Sequence, residues 1–241
     1  MKHPLQDEKT RRKYHKKYIK TADAEEKLFK KVLKKYWKGQ EERVIETFTG
    51  GKGMRNKGVN DFFNIELEIA VCKETFIPLL TEMLERAGID TIFGAGENFL
   101  MDTNIMAWLD EKASIFSTQI NETTFETLKE VISEAVTEGQ TYSELAGTVK
   151  ETYGDISKAR AVTIARTETG FVMSKGRFES YKQAGTNIKI WVAVMDSRTR
   201  DSHAMLDGEE RPLDMPFSNG LMYPREFGAS AEEVINCRCD F

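Results

Sequence analysis

Through most of the first 185 residues, apolar positions recur three or four apart; after Gly185 the period changes, and branched aliphatic residues fall at every second position. The first pattern predicts amphipathic helices, the second a strand. Residues 5–20 are polar and basic, with Tyr14 and Tyr18 interspersed, and a helical period starts at Thr21. Leu28, Phe29, Val32, Leu33, Tyr36 and Trp37 share one helical face, and Lys30, Lys31, Lys34, Lys35 and Lys38 fill much of the rest. The glycine-rich stretch 49–58 predicts a flexible linker. It contains Gly-Lys but lacks phosphate-loop spacing, and no strand precedes it. Asp61 is expected to cap a helix that runs to about Ala87, stops at Gly88 and is kinked or split at Pro78. Another helix is predicted over roughly 96–117. Asn121 or Thr123 then caps one that Gly139 ends. Thr141-Tyr-Ser-Glu144 reads as a capping box opening a short helix to about Tyr153, and a long helix follows over about 157–184, closed by Gly185.

Beyond Gly185, the alternation of Ile188, Ile190, Val192 and Val194 with their neighbours predicts a strand. The tail then becomes rich in turns. Asn219-Gly220 between Phe217 and Leu221 is a hairpin signal, and Ser230 to Glu233 opens one short helix. The fold class read from this layout is α+β: a mainly helical N-terminal body followed by a small α+β C-terminal domain. The expected divisions are a basic arm and loop over 1–58, a helical region over 59–120, and helices followed by strands over 121–241.

Charge adds an asymmetry that hydropathy hides. The net charge of −4 combines 18 Lys and Arg against 8 Asp and Glu in residues 1–60 with 17 against 31 in the remainder. Lys9, Arg11, Arg12, Lys13, Lys16, Lys17 and Lys20 fall within twelve residues. Such a segment suits an anionic partner, with double-stranded DNA and an acidic protein both candidates. Tyr14, His15 and Tyr18 are placed where they could stack on bases. The bland reading is a solvated lysine-rich helix. No apolar run is long enough to cross a bilayer, and the first residues lack the apolar stretch of a signal peptide, so a cytoplasmic site of synthesis and no membrane partner are expected. Three cysteines, Cys72, Cys237 and Cys239, are too few for a disulfide scaffold.

Candidate chemistry is densest in the last third. In the long helix, Arg166-Thr167-Glu168 places Glu168 above Ile164 and Ala165, so its carboxylate is expected on the packed side with an arginine partner. After the strand comes Asp196-Ser-Arg198-Thr199-Arg200-Asp-Ser-His203, where Thr199 and His203 would share a helical face. Loss of Glu168 or Arg200 is expected to strand a buried charge. In Cys237-Arg238-Cys239 an extended backbone points both sulfurs one way and Arg238 the other. His203, Cys237, Cys239 and Asp196 could together hold a structural zinc, against a metal-free network of thiols, arginine and aspartate. A disulfide between the two neighbouring cysteines is geometrically poor. No Gly-x-Ser-x-Gly or His-Glu-x2-His pattern is present. The expectation is a protein without enzymatic activity. A metal-dependent hydrolase built on His203, Cys237 and Cys239 is the alternative.

These motifs carry a resemblance. A strand followed by Asp196-x-Arg198-Thr199-Arg200-x2-His203-x3-Asp207-Gly208, and then Asn236-Cys237-Arg238-Cys239, resembles the C-terminal domain of the Mu F-like phage head-morphogenesis proteins. Ala165-Arg166-Thr167-Glu168 and Trp191 fit the same family, as does the helical stretch 124–153. The resemblance implies a minor capsid protein inside the phage head, made in the host cytoplasm. It would associate with the portal protein and other capsid or scaffold proteins, and act in procapsid assembly and in DNA packaging or ejection. Some members bind DNA, which would suit the basic arm; an accessory DNA-binding protein without portal contact is the second reading.

Overall fold

A computed structural model describes residues 4–49, 58–91 and 94–241; the central part of the expected linker, 50–57, lies outside them. Among the described residues, four long helices dominate: α1 (Glu8–Thr49), α2 (Ile65–Ile89), α3 (Thr103–Thr137) and α4 (Tyr142–Gln183). The C-terminal stretch adds β1 (Ile188–Ile190), α5 (Asp201–Met205), β2 (Glu210–Pro212) and α6 (Ala231–Val234). The architecture is a mainly helical body followed by a small α+β region, as the hydropathy pattern predicts.

The helices are longer than their sequence signals suggest. α1 begins well before Thr21 because Asp7 caps it: its carboxylate accepts the Thr10 backbone N–H at 2.8 Å and hydroxyl at 2.6 Å. Tyr14, Tyr18 and Ala22 then form a buried seam through the basic segment. Further along, Phe29, Leu33, Tyr36 and Trp37 are buried, whereas Leu28 is exposed. Asn64, not Asp61, caps α2, through a 3.0 Å bond from Leu67 N–H. α2 continues through Pro78. A proline there removes one helical hydrogen bond, and burial of Phe76, Leu80, Met83 and Leu84 outweighs that loss. α3 also runs unbroken past Asn121 and Thr123, because their side chains bond to carbonyls four residues back instead of capping. The Thr141–Glu144 box is present, but the helix it opens passes through Gly154 to Gln183. It ends where expected, with Gly185 at φ 68° and Thr186 N–H bonded to Tyr181 O at 3.0 Å.

The chain forms two compact units assembled from separated segments. The first comprises Met1–Phe29, Leu80–Thr103 and Thr163–Phe241; the second comprises Lys30–Leu79 and Asn104–Val162. The second unit is helical, with Phe76 edge-on to both Tyr36 and Phe116 at centroid distances of 6.1 and 5.0 Å. Its interior also holds a polar network: Gln40 donates to Asn121 (2.6 Å) and Glu68 (3.1 Å), Tyr36 donates to Asn121 (2.7 Å), and Arg43 grips Glu68 with two bonds.

The first unit holds the C-terminal stretch. Strands β1 and β2 pair antiparallel, Ile188 opposite Pro212 and Ile190 opposite Glu210. Val192 then exchanges both backbone hydrogen bonds with Asp240. Both faces of this stretch are covered: Lys189, Trp191 and Ala193 are buried along with Ile190 and Val192. Lys189 Nζ donates to the carbonyls of Leu213 and Met222 and lies over the Phe217 ring, and burial pulls its pKa down to about 8. The Asn219-Gly220 turn forms, with Phe217 N–H bonded to Leu221 O, but no strands flank it. Gly176 lets α4 pass close to α2, since a Cβ there would lie 2.4 Å from the Leu84 carbonyl oxygen.

Candidate functional site

The C-terminal segment leaves α6 through Asn236, whose φ of 58° is a left-handed conformation that asparagine tolerates. Beyond it the alternation holds. Both sulfurs, Cys237 Sγ and Cys239 Sγ, stand 3.5 Å from His203 Nδ1, while Arg238 points away to Asp23 and Glu26 at 2.5 and 3.2 Å. The three ligand-type atoms lie within 4.8 Å of one another, and His203, Cys237 and Cys239 are all at most 3% exposed. On the far side of the ring, His203 Nε2 meets Glu233 Oε2 at 2.9 Å, and Asn219 Nδ2 donates to the same oxygen at 3.1 Å. A carboxylate only accepts, so Nε2 carries the proton and Nδ1 is turned to the sulfurs. Trp191 packs edge-on against the imidazole, 5.3 Å between centroids.

This arrangement polarises the groups. Cys237 is held well below the ordinary thiol range, first by its hydrogen bond with Cys239, with His203 and the buried Arg225 adding against the cost of burial. Cys239 is driven up by the same hydrogen bond and by burial. Burial disfavours the His203 imidazolium, but Cys237 and Glu233 outweigh it and raise its pKa.

Asp196 does not join the cluster. Its carboxylate accepts the Arg198 backbone N–H at 2.9 Å and the guanidinium at 3.1 Å, and its own N–H donates to Thr199 Oγ1. That local turn commits the carboxylate to Arg198 and keeps its pKa low. Asp196 instead borders a cleft of about 360 Å³, together with Arg166, Arg198, Arg200 and Arg238; His203 and the two cysteines also line it.

The remaining motif residues hold separate parts of the first unit together. Asp207 receives Arg11 at 3.2 Å, Arg12, and the Ala193 N–H at 2.9 Å, beside Gly208. Arg166 reaches Asn236 Oδ1 (3.3 Å) and Glu26 (3.5 Å), and Thr167 Oγ1 accepts the Asn236 N–H. Arg200 donates to the Ile235 carbonyl at 2.7 Å in an exposed bond, and Glu168 is half-buried. Neither is the fully buried charge expected. That role falls to residues the spacing did not single out. Arg177 pairs with the completely buried Asp240, and Arg225, also buried, donates to Ser174 and stacks over Tyr18. Glu233, which orients His203, was equally unmarked.

The basic arm divides. Lys9, Lys13, Lys16, Lys17 and Lys20 are exposed on α1 at spacings of three or four, on one side of the helix, while Arg11 and Arg12 fold inward onto Asp207. Tyr14, His15 and Tyr18 are buried and unavailable for stacking on bases. Tyr14 shares a hydrogen bond with Tyr181, and His15 Nε2 lies 2.9 Å from the Arg238 carbonyl.

Residues 126–241 match the family described as Phage Mu protein F like protein. The chain is 33% identical over 114 residues to minor head protein GP7 of Bacillus phage SPP1, covering 45% of this chain and 37% of that protein. It is 41% identical over 110 residues to NAD(+)–arginine ADP-ribosyltransferase EFV of Enterococcus faecalis, covering 42% of this chain and 22% of that protein. The chain thus spans well under half the length of either relative. No solved structure matches it.

Proposed function

With residues 126–241 belonging to the Phage Mu protein F like family, we propose that this protein is a minor head protein that associates with the portal inside the procapsid and acts in head assembly and in DNA packaging or ejection. The observation that carries the reading is the family match together with what its motif residues do. Arg166, Asp207, Asn236 and Arg238 are spent on joining distant segments of one unit, a mechanical use of polar side chains. The likeness to a named minor head protein supports the same role. The reading assigns the protein no reaction and places it in the virion.

The test is co-expression with portal, scaffold and major capsid proteins of the same phage. The protein is expected to co-purify with the portal and to be retained in procapsids; its exclusion from both would overturn the reading. Incubation with NAD+ is expected to release no nicotinamide. Release would favour the activity in the name of the Enterococcus relative.

The exposed lysines favour direct DNA contact as part of that role. Five phosphates neutralised would give a log–log salt slope of about −4 to −5 on duplex DNA. Replacing Lys9, Lys13, Lys16, Lys17 and Lys20 with glutamine should flatten that slope. An unchanged slope would mean that DNA, if bound, is held elsewhere.

A further inference from the structure

The buried His203–Cys237–Cys239 cluster is unused by a purely mechanical role, and its geometry is that of a coordination shell. A tetrahedral zinc with Zn–S of about 2.3 Å and Zn–N of about 2.0–2.1 Å sets its nitrogen and sulfur ligands about 3.5 Å apart. His203 Nδ1 stands 3.5 Å from each sulfur. We propose that His203 Nδ1, Cys237 Sγ and Cys239 Sγ bind one zinc ion whose fourth position opens on the arginine-lined cleft.

Four further observations bear on it. First, Glu233 accepts from Nε2 and is itself held by Asn219, the carboxylate–histidine arrangement that fixes the tautomer a metal requires. Second, the Cys239 backbone N–H points at Cys237 Sγ at 3.4 Å, a donor that supports a thiolate. Third, the donor set of two sulfurs and one imidazole selects zinc over magnesium or calcium. Binding sends the two thiol protons to solvent, and the doubly charged cation with two thiolates is neutral overall, which suits a buried position. Fourth, among the described residues no further histidine, cysteine or carboxylate joins the group. Asp196, on the same cleft, is committed to Arg198. The cleft is lined by all three ligands and by Arg166, Arg198, Arg200 and Arg238, so water or a small anion is the chemistry that fits the fourth position.

The experiment uses the full chain, freed of any affinity tag and dialysed. Elemental analysis should find one zinc per chain, and cobalt exchanged for it should give a thiolate-to-cobalt charge-transfer band and the visible spectrum of a tetrahedral site. Cys237→Ser and Cys239→Ser should lose the metal, and Cys72→Ser should keep it. Because the first two variants could misfold, Glu233→Gln provides a milder case, with zinc affinity expected to fall about 10- to 100-fold. Folded wild-type protein that takes up neither zinc nor cobalt would overturn the site. A cobalt spectrum indifferent to added azide would overturn the open fourth position.

Discussion

Both compact units bury polar side chains, but to different ends. In the second unit, Tyr36, Gln40, Glu68 and Asn121 project from helices already specified by their apolar faces. Their network selects among ways of packing preformed helices. In the first unit, residues 188–241 contain two three-residue strands and helices of five and four residues, too little regular structure to define a shape. There, contacts between residues far apart in sequence define it: Arg177 with Asp240, Arg11 and Arg12 with Asp207, Arg238 with Asp23, and Lys189 with two carbonyls. A polar group can therefore refine one part of a molecule and create another.

The contrast predicts unequal costs. Asp240→Ala leaves the Arg177 guanidinium buried without its partner, and unfolding free energy in urea should fall by about 3–5 kcal/mol. A loss below about 1 kcal/mol would mean that the tail does not depend on the pair. Gln40→Ala, in the helical unit, should cost about 1–3 kcal/mol, since it removes two buried hydrogen bonds but leaves Asn121 the Tyr36 hydroxyl and Glu68 the Arg43 guanidinium, and it removes no helix signal. A loss as large as that of Asp240→Ala would erase the distinction between the units. Arg200→Ala should cost about 0.5–1.5 kcal/mol, the worth of one hydrogen bond to Ile235 in an exposed setting.

One further effect is visible only against pH. Lys189 has a folded pKa of about 8, below its ordinary 10.5, so above pH 8 the unfolded chain binds more protons than the folded one. Its contribution to stability therefore rises with pH from about 8 toward 10.5, and the penalty of burying the charge is fully present below 8. Lys189→Met should remove that upward slope. The difference between variant and wild type is best measured from pH 8 to 10, before the buried tyrosines begin to titrate. A difference that does not change with pH would place the proton differently.

Much of the helical layout was legible because it rests on local rules. The Thr141–Glu144 box and the Gly185 terminus stand where spacing puts them. Pro78 and Gly154 do not split their helices and Asn121 starts none, since each is a local preference that burial along the helix overrides. The paired orientation of Cys237 and Cys239 was also legible, because an extended backbone alternates its side chains. Glu233 was not. It reaches His203 from thirty residues away, through a turn whose path only the packed structure defines.

By itself, the sequence determined where helices could form, which end of the chain carries positive charge, and that two sulfurs would face one way. These follow from the fixed geometry of a few neighbouring residues. Only the tertiary structure decided that Arg11 and Arg12 turn inward while five lysines stay out, that Asp196 leaves the histidine–cysteine cluster, and that Arg177 neutralises Asp240. Those outcomes depend on which distant segments share the low-dielectric interior, where an unpaired charge is too costly to keep and a partner at any sequence distance will serve.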